Sequence, residues 1–394
     1  MSETLGRNVN LYTAAQALGA ATPPIIISLG GLVSMSMGAP HELMTLPVFL
    51  FNLGLALSTL PAAFLMAKLG RKSAYIIAGF MALISATLSA SGIISQTFAL
   101  FCAGTLLAGY YAAHVQSFRF AVVEGLPKEV APRAISRVMI GGLIAAVIGP
   151  QVVVWTQDAM DAQYAGAFIG QAVLVLLGLA VIVQIRDSGP APKKAKSETD
   201  ARLGDLLRRP RYTIAVAAGV VSYALMAFVM TAAPIAMVDH GHQVHHAALG
   251  IQWHVLAMFA PSFFTGKLMV RFGKARITAL GLILIAIAGL IALQGLELAH
   301  FWGSLILLGV GWNFGFIGAT ALVAEAHTPE EKGLAQGFND FMIFSTVALG
   351  SFMAGVLLNA SGWYTLNLVV MPICALILAV MLLLRRYPLQ PVEV

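Results

Sequence analysis

Tyr110, His114 and Ser117 follow one another at spacings of four and three, which puts them on one face of a helix. They offer a phenol, an imidazole and a hydroxyl, groups that hydrogen-bond an organic solute. The imidazole also titrates near neutrality. Two readings stay open for His114: a ligand or proton site in a watered cavity, or a hydrogen-bond link between helices. A second cluster, Trp312, Asn313, Phe316 and Thr320, adds two broad aromatic faces and an amide. That chemistry suits a flat, partly apolar ligand, although single aromatics also serve as plain packing against neighbours or lipid. Tyr223 with Met226 and Met230, the run Gln252–Trp253–His254, and Gln16 and Asn52 complete the candidates. Each of these could instead make an ordinary interhelical hydrogen bond.

Two further groups ask for different chemistry. The string DHGHQVHH carries Asp239, His240, His242, His245 and His246, a set able to ligate a transition metal or to sense pH. It lies in a loop, the apolar runs offer no cysteine or carboxylate cluster to complete a deep site, and the expectation is therefore no resident metal. The spacing of His242 and His246 lacks the glutamate of a zinc hydrolase. No GxxxxGK[ST] phosphate loop occurs, and no enzyme activity or cofactor is expected. Arg119 is the one basic residue well inside an apolar run. It falls half a turn from Tyr110 and near a span end, which suits a structural or gating role.

The elements that must hold these residues are legible in composition. Of 394 residues, 59% are hydrophobic and only 10% charged, against roughly 25% charged in soluble domains. So few charges cannot clothe a water-facing surface, and lipid is the natural solvent. Twelve apolar runs are long enough to span a bilayer: Leu11–Met35, Leu43–Ala67, Ser73–Gly92, Phe98–Val123, Ile135–Trp155, Tyr164–Ile185, Tyr212–Val238, Leu249–Val270, Ile277–Leu293, Phe301–Ala324, Ala335–Asn359 and Tyr364–Leu384. Each run is continuous, which calls for helices and not a barrel. Pro23, Pro24, Pro150, Pro234 and Pro261 are expected to bend them, and GGLIAAVIGP (Gly141–Pro150) offers small residues for close packing.

Lysine and arginine set the expected topology. In the loops they alternate: Lys68, Arg71 and Lys72; Lys128, Arg133 and Arg137; Lys193, Lys194, Lys196, Arg202, Arg208, Arg209 and Arg211; Arg271, Lys274 and Arg276; and Lys332, with Arg7, Arg385 and Arg386 at the termini. Loops of the other parity have none. By the positive-inside rule both termini are cytoplasmic. The net charge of +6 is thereby spent on topology and anionic lipid, not nucleic acid. The N-terminus lacks the pattern of a removable signal peptide, and Cys102 and Cys374 lie apart in apolar runs, against a disulfide or metal role.

The polar stretch Asp187–Pro210 divides the chain into an N-terminal six-helix bundle (1–186), a cytoplasmic linker (187–210), either partly disordered or with a short amphipathic helix at Ala201–Leu207, and a C-terminal six-helix bundle (211–394). The halves repeat. AFLMAKLGRK from Ala63 parallels GKLMVRFGKA from Gly266 at an offset of 203, and GLPKEVAPRA from Gly125 parallels HTPEEKGLAQ from His327 at 202. The 202 offset sets Trp312 opposite Tyr110 and Phe316 opposite His114. Repeated halves are a recurring plan of secondary transporters.

Across essentially the whole chain these features resemble the major facilitator superfamily, whose signature after spans two and eight runs Gly-x-x-x-Asp-Arg-x-Gly-Arg-Lys in its fullest form. The first copy here keeps Gly70, Arg71 and Lys72, with Ala63, Ala67 and Lys68 at the Gly, Asp and Arg positions; the second has Gly266, Arg271, Gly273 and Lys274, with Val270 in place of Asp. Gly70 and Gly273 are expected in the left-handed conformation that ends a helix. Both acidic members are missing, and two readings stay open for Asp340: the absent anion, or a solvated carboxylate at a helix start. The arginine that drug-proton antiporters carry early in span four is missing from CAGTLLAGYY. GIQWHVLAMFAPSFFTGKL, GVGWNFGFIGAT and QGFNDF are similar to a bacterial branch associated with riboflavin uptake. The resemblance implies an all-α integral membrane fold of twelve transmembrane helices in two pseudo-symmetric bundles. It implies alternating-access import of a small organic solute, riboflavin or a similar planar vitamin, across a bacterial inner membrane. The alternatives are a transition metal, drug or organic anion exported by the same fold. It implies a monomer in lipid, with a proton as candidate coupling ion.

Overall fold

The structure, a computed structural model, describes residues 3–123, 126, 130–185, 202–328 and 330–384. Lys128, Lys193, Lys194, Lys196, Arg385, Arg386 and most of the linker fall outside these residues. The described residues are helical, with no strand among them.

The helices are α1 (Glu3–Gly19), α2 (Thr22–Ser36), α3 (Leu46–Leu69), α4 (Arg71–Ile94), α5 (Phe98–Gln116), α6 (Phe118–Ala121), α7 (Ala131–Thr156), α8 (Ala165–Ile182), α9 (Leu203–Leu207), α10 (Pro210–Asp239), α11 (Val244–Phe259), α12 (Ser262–Phe272), α13 (Lys274–Ala292), α14 (Leu298–Glu325) and α15 (Lys332–Leu384). Among the described residues ten helical segments are long and apolar enough to cross a membrane, or eleven with the pair α11 and α12, which meet at a bend of 43°. The 53-residue α15 is two helices joined at Gly362, whose φ of 74° is not helical. Divided there, it supplies the twelfth span. Spans one, four and eight are each broken within the apolar run. Pro23 and Pro24 do not bend an unbroken helix; they start α2, where a missing N–H has no bond to lose. The linker helix α9 covers Leu203–Leu207 of its expected range, and Ala201 lies outside the described residues.

The chain forms two compact units: Met1–Lys194 with Gln243–Gln252, and Ala195–His242 with Trp253–Val394. Their internal packing repeats. In the first unit α1 lies against α7, and α4 against α5 and α8; in the second α10 lies against α15, and α13 against α14 and α15. Lipid is as apolar as leucine, so burial in it drives no association and close backbone approach must do the work. Gly281 meets α14 at Gly311 and Gly315, where an added Cβ would sit 2.6 Å from the Gly315 Cα. Large side chains such as Leu60 (80% exposed) and Val270 (91% exposed) point outward, as lipid-facing residues do.

Gly70 and Gly273 each end one helix and start the next with no residue between. Their angles (φ 82°, ψ 157°; φ 89°, ψ 144°) correct the expected left-handed helical turn. Both are extended at positive φ, a region close to glycine-only. The matching geometry in both units is the backbone form of the sequence repeat.

Candidate functional site

In the first unit the chemistry gathers where α5 breaks into α6. The His114 Nδ1–H donates to the Tyr110 carbonyl at 3.0 Å, and the two rings lie 4.6 Å apart. His114 is 1% exposed and its Nε2 has no partner among the described residues. Ser117 caps the break: its hydroxyl reaches the His114 carbonyl at 2.7 Å and the Tyr75 phenol at 2.8 Å. An Arg71 N–H donates to the same phenol at 3.5 Å. Ser117 thereby belongs to a structural chain running from the signature arginine to the helix break. Arg119 is exposed, with its guanidinium 4.8 Å over the Phe120 ring, in keeping with a span-end residue. Gln16 is half-buried on α1 beside Gly141 of α7. Gln252 belongs to this unit too, and accepts from the Gln151 Nε2–H at 2.9 Å.

The second unit holds an aromatic box. Trp312 stacks on Phe316 with centroids 5.1 Å apart and planes 17° from parallel. Tyr223 stands edge-on to Trp312 at 5.2 Å and to Phe316 at 5.0 Å. Phe259 adds an edge at 6.0 Å from Trp312, and Phe344 lies 6.4 Å from Tyr223. Tyr223, Phe316 and Phe344 are half-buried. Helical spacing on α14 brings Trp312 and Phe316 together; α10, α11 and α15 bring the rest. Met226 and Met230 are buried in α10.

Asn313, one residue on, points elsewhere and is fully employed. Its Nδ2 donates to the Met258 carbonyl and to the Ser262 hydroxyl, both at 2.7 Å, and its Oδ1 accepts from Thr265 at 2.6 Å. These partners straddle the bend at Ala260–Pro261. Pro261 cannot donate a backbone N–H there, and the Asn313 amide meets the opened helix. His254 is wholly buried, donating from Nδ1 to the Leu305 carbonyl at 2.6 Å, and its Nε2 has no partner among the described residues.

At the signature end of the second unit, Lys274 pairs with Glu325 at 2.6 Å, and Arg211 with the other oxygen at 3.1 Å. The carboxylate beside Lys274 is thus Glu325. Asp340, the candidate for the missing anion, is exposed and accepts from its neighbour Asn339 at 3.1 Å. Arg209 grips Glu331 with two N–H groups at 2.7 and 2.8 Å, and this pairing holds the carboxyl below its ordinary range. Lys72 is half-buried.

The histidine string is split between the units. His240 donates to Ala236 at 2.7 Å and His242 to Leu296 at 2.8 Å. His245 and His246 start α11 with rings 4.0 Å apart. No group able to hold a metal ion occurs among the described residues.

Tyr75, Phe259, Phe344, Glu325 and Glu331 were missed by sequence reasoning. Phe344 falls in an apolar run where one aromatic carries no signal, and Glu325 sits at the end of a run whose pairing partner is 51 residues away.

The family model for the Major Facilitator Superfamily matches residues 9–252 and 214–393. The chain is 58% identical to the riboflavin transporter RfnT of Brucella anthropi over 388 residues, covering 97% of this chain and 96% of that protein. It is 27% identical to the uncharacterized transporter YddS of Bacillus subtilis, over 92% of this chain and 87% of that one. The solved structure of the nucleoside transporter NupG superposes with a TM-score of 0.77 at 14% identity, covering 96% of this chain and 99% of that chain. That likeness carries the fold alone.

Proposed function

The chain belongs to the major facilitator superfamily, and on that premise we propose that it imports riboflavin or a closely similar planar vitamin across the bacterial inner membrane by alternating access. The observation that carries this reading is the 58% identity to a riboflavin transporter along nearly the entire length of both chains. The aromatic box of the second unit supports it, because stacked and edge-on rings suit the flat faces of a fused heterocycle. The basic loops support a topology with both termini in the cytoplasm. Tyr110, His114, Tyr223, Trp312 and Phe316 are the residues assigned to the solute. Asn313 and Ser117 are reassigned to shaping the helix breaks beside it. Import is driven by the solute's own gradient or a coupled ion, since the chain has no phosphate-binding loop for ATP.

The test is riboflavin accumulation in a flavin-auxotrophic bacterium that lacks its own importer, with and without this protein. Saturable rescue at low riboflavin is expected. Absence of rescue, with the protein present in the membrane, sinks the substrate assignment and leaves the transporter fold standing.

A further inference from the structure

Trp312 carries a hydrogen-bond donor that the second unit leaves unused. The residue is 5% exposed, and its Nε1 has no partner among the described residues. Its surroundings show why. Phe316 covers one face of the indole, and Tyr223 and Phe259 abut it edge-on. Phenylalanine carries no acceptor, and the single oxygen in this set, the Tyr223 phenol, does not take the proton. A buried donor without an acceptor is costly and calls for an explanation. Packing alone supplies none, since a phenylalanine at this position would fill a ring-lined space without stranding an N–H. The neighbouring rings give a second observation: Tyr223, Phe316 and Phe344 are half-buried while Trp312 is enclosed. The box therefore sets half-buried rings around one buried directional polar group, the two components of a site for a flat polar solute.

We propose that the Trp312 N–H is a specificity-determining donor. It takes an acceptor atom, a carbonyl oxygen or ring nitrogen, on the edge of a planar heteroaromatic solute, while the half-buried rings meet the solute's faces. This rests on the riboflavin reading above and deepens it. The fused ring of a flavin has such acceptors along its edge, and a plain aromatic hydrocarbon of equal area does not. A site with a buried donor discriminates strongly against solutes that leave it unpaired.

The experiment measures riboflavin uptake, KM and Vmax separately, together with thermal stability, in the full chain reconstituted in proteoliposomes. Wild type is compared with Trp312→Phe and with the chain in which β-(3-benzothienyl)alanine replaces Trp312. The latter keeps the shape of the indole and removes only the N–H. The expected result is a KM about tenfold higher in the isosteric variant, the value of one neutral hydrogen bond, with Vmax and stability unchanged. Trp312→Phe is expected to show the same rise if it folds. An unchanged KM in the isosteric variant overturns the inference alone. A KM that rises only together with lost stability makes Trp312 a packing residue and also overturns it. No uptake by the wild type overturns the riboflavin reading and this inference with it.

Discussion

Replacing Asn313 with alanine separates a residue that shapes the transporter from one that touches its solute. Three hydrogen bonds meet at this amide. Thr265 keeps a second acceptor, the Pro261 carbonyl at 2.8 Å, so two bonds are lost without replacement. Interhelical bonds in a bilayer average about 0.6 kcal/mol and reach about 1.7, so two give about 1–3 kcal/mol. The Met258 carbonyl and Ser262 hydroxyl are then left at an opened helix in apolar surroundings, which moves the total toward the upper end. We expect Asn313→Ala to destabilise the second unit by about 2–3 kcal/mol, a fall of roughly 5–10 °C in thermal midpoint for a unit of this size. The assay is thermal unfolding in nanodiscs, with amide hydrogen exchange over residues 256–266 as the local readout. Exchange there should accelerate selectively, because the amide bridges the bend. A raised KM for the solute with no fall in midpoint and no change in exchange would refute the argument and return Asn313 to the binding site.

Acidification should expose the Arg209–Glu331 pair. The guanidinium lowers the Glu331 pKa from its ordinary value of 4.5, so the pair's contribution is complete above that value and is lost as pH falls through the lowered one. The stability gap between wild type and Glu331→Gln, about 1 kcal/mol for a partly exposed pair, should be constant from pH 7 to 5 and close on further acidification; a gap that widens contradicts the pairing. Gly273→Ala should cost about 1–3 kcal/mol through backbone strain alone, since φ is 89° and nothing lies within 4 Å of an added Cβ. Gly266→Ala, equally open but helical, should be neutral or mildly stabilising. Equal stability of the two variants would remove the conformational argument.

The spans were legible because a bilayer imposes one requirement on every membrane helix, an apolar run of sufficient length, and that is written locally. The breaks were only half legible. Pro261 announced a bend, but the amide that meets it comes from Asn313 on another span, and the sequence ranked that residue as a ligand because an amide among aromatic rings suits a flat, partly apolar solute. Its three hydrogen-bond partners are all protein. The same limit applies to Ser117, which sequence spacing put on the face of Tyr110 and His114 and whose hydroxyl closes the end of its own helix. Trp312 and Phe316 stood out as two aromatics of one run, whereas Phe259 and Phe344 come from other helices and join the box only through packing. Glu325 shows the same thing for charge: the partner of Lys274 follows from which helix ends meet, information that no local motif holds.

The glycine joints at Gly70 and Gly273 have a mechanical consequence. A loop of several residues lets two helices drift independently, because slack absorbs their relative motion. A joint of one residue has no slack. The end of α3 and the start of α4, like the end of α12 and the start of α13, share a single Cα pivot, and each pair behaves as a lever whose arms cannot be displaced separately at that end. A pull on the charged end of either pair, through Arg71 or through Lys274 and Glu325, is delivered to both helices at once. Lengthening either joint with a flexible insertion would uncouple the arms while leaving every residue of the candidate site in place.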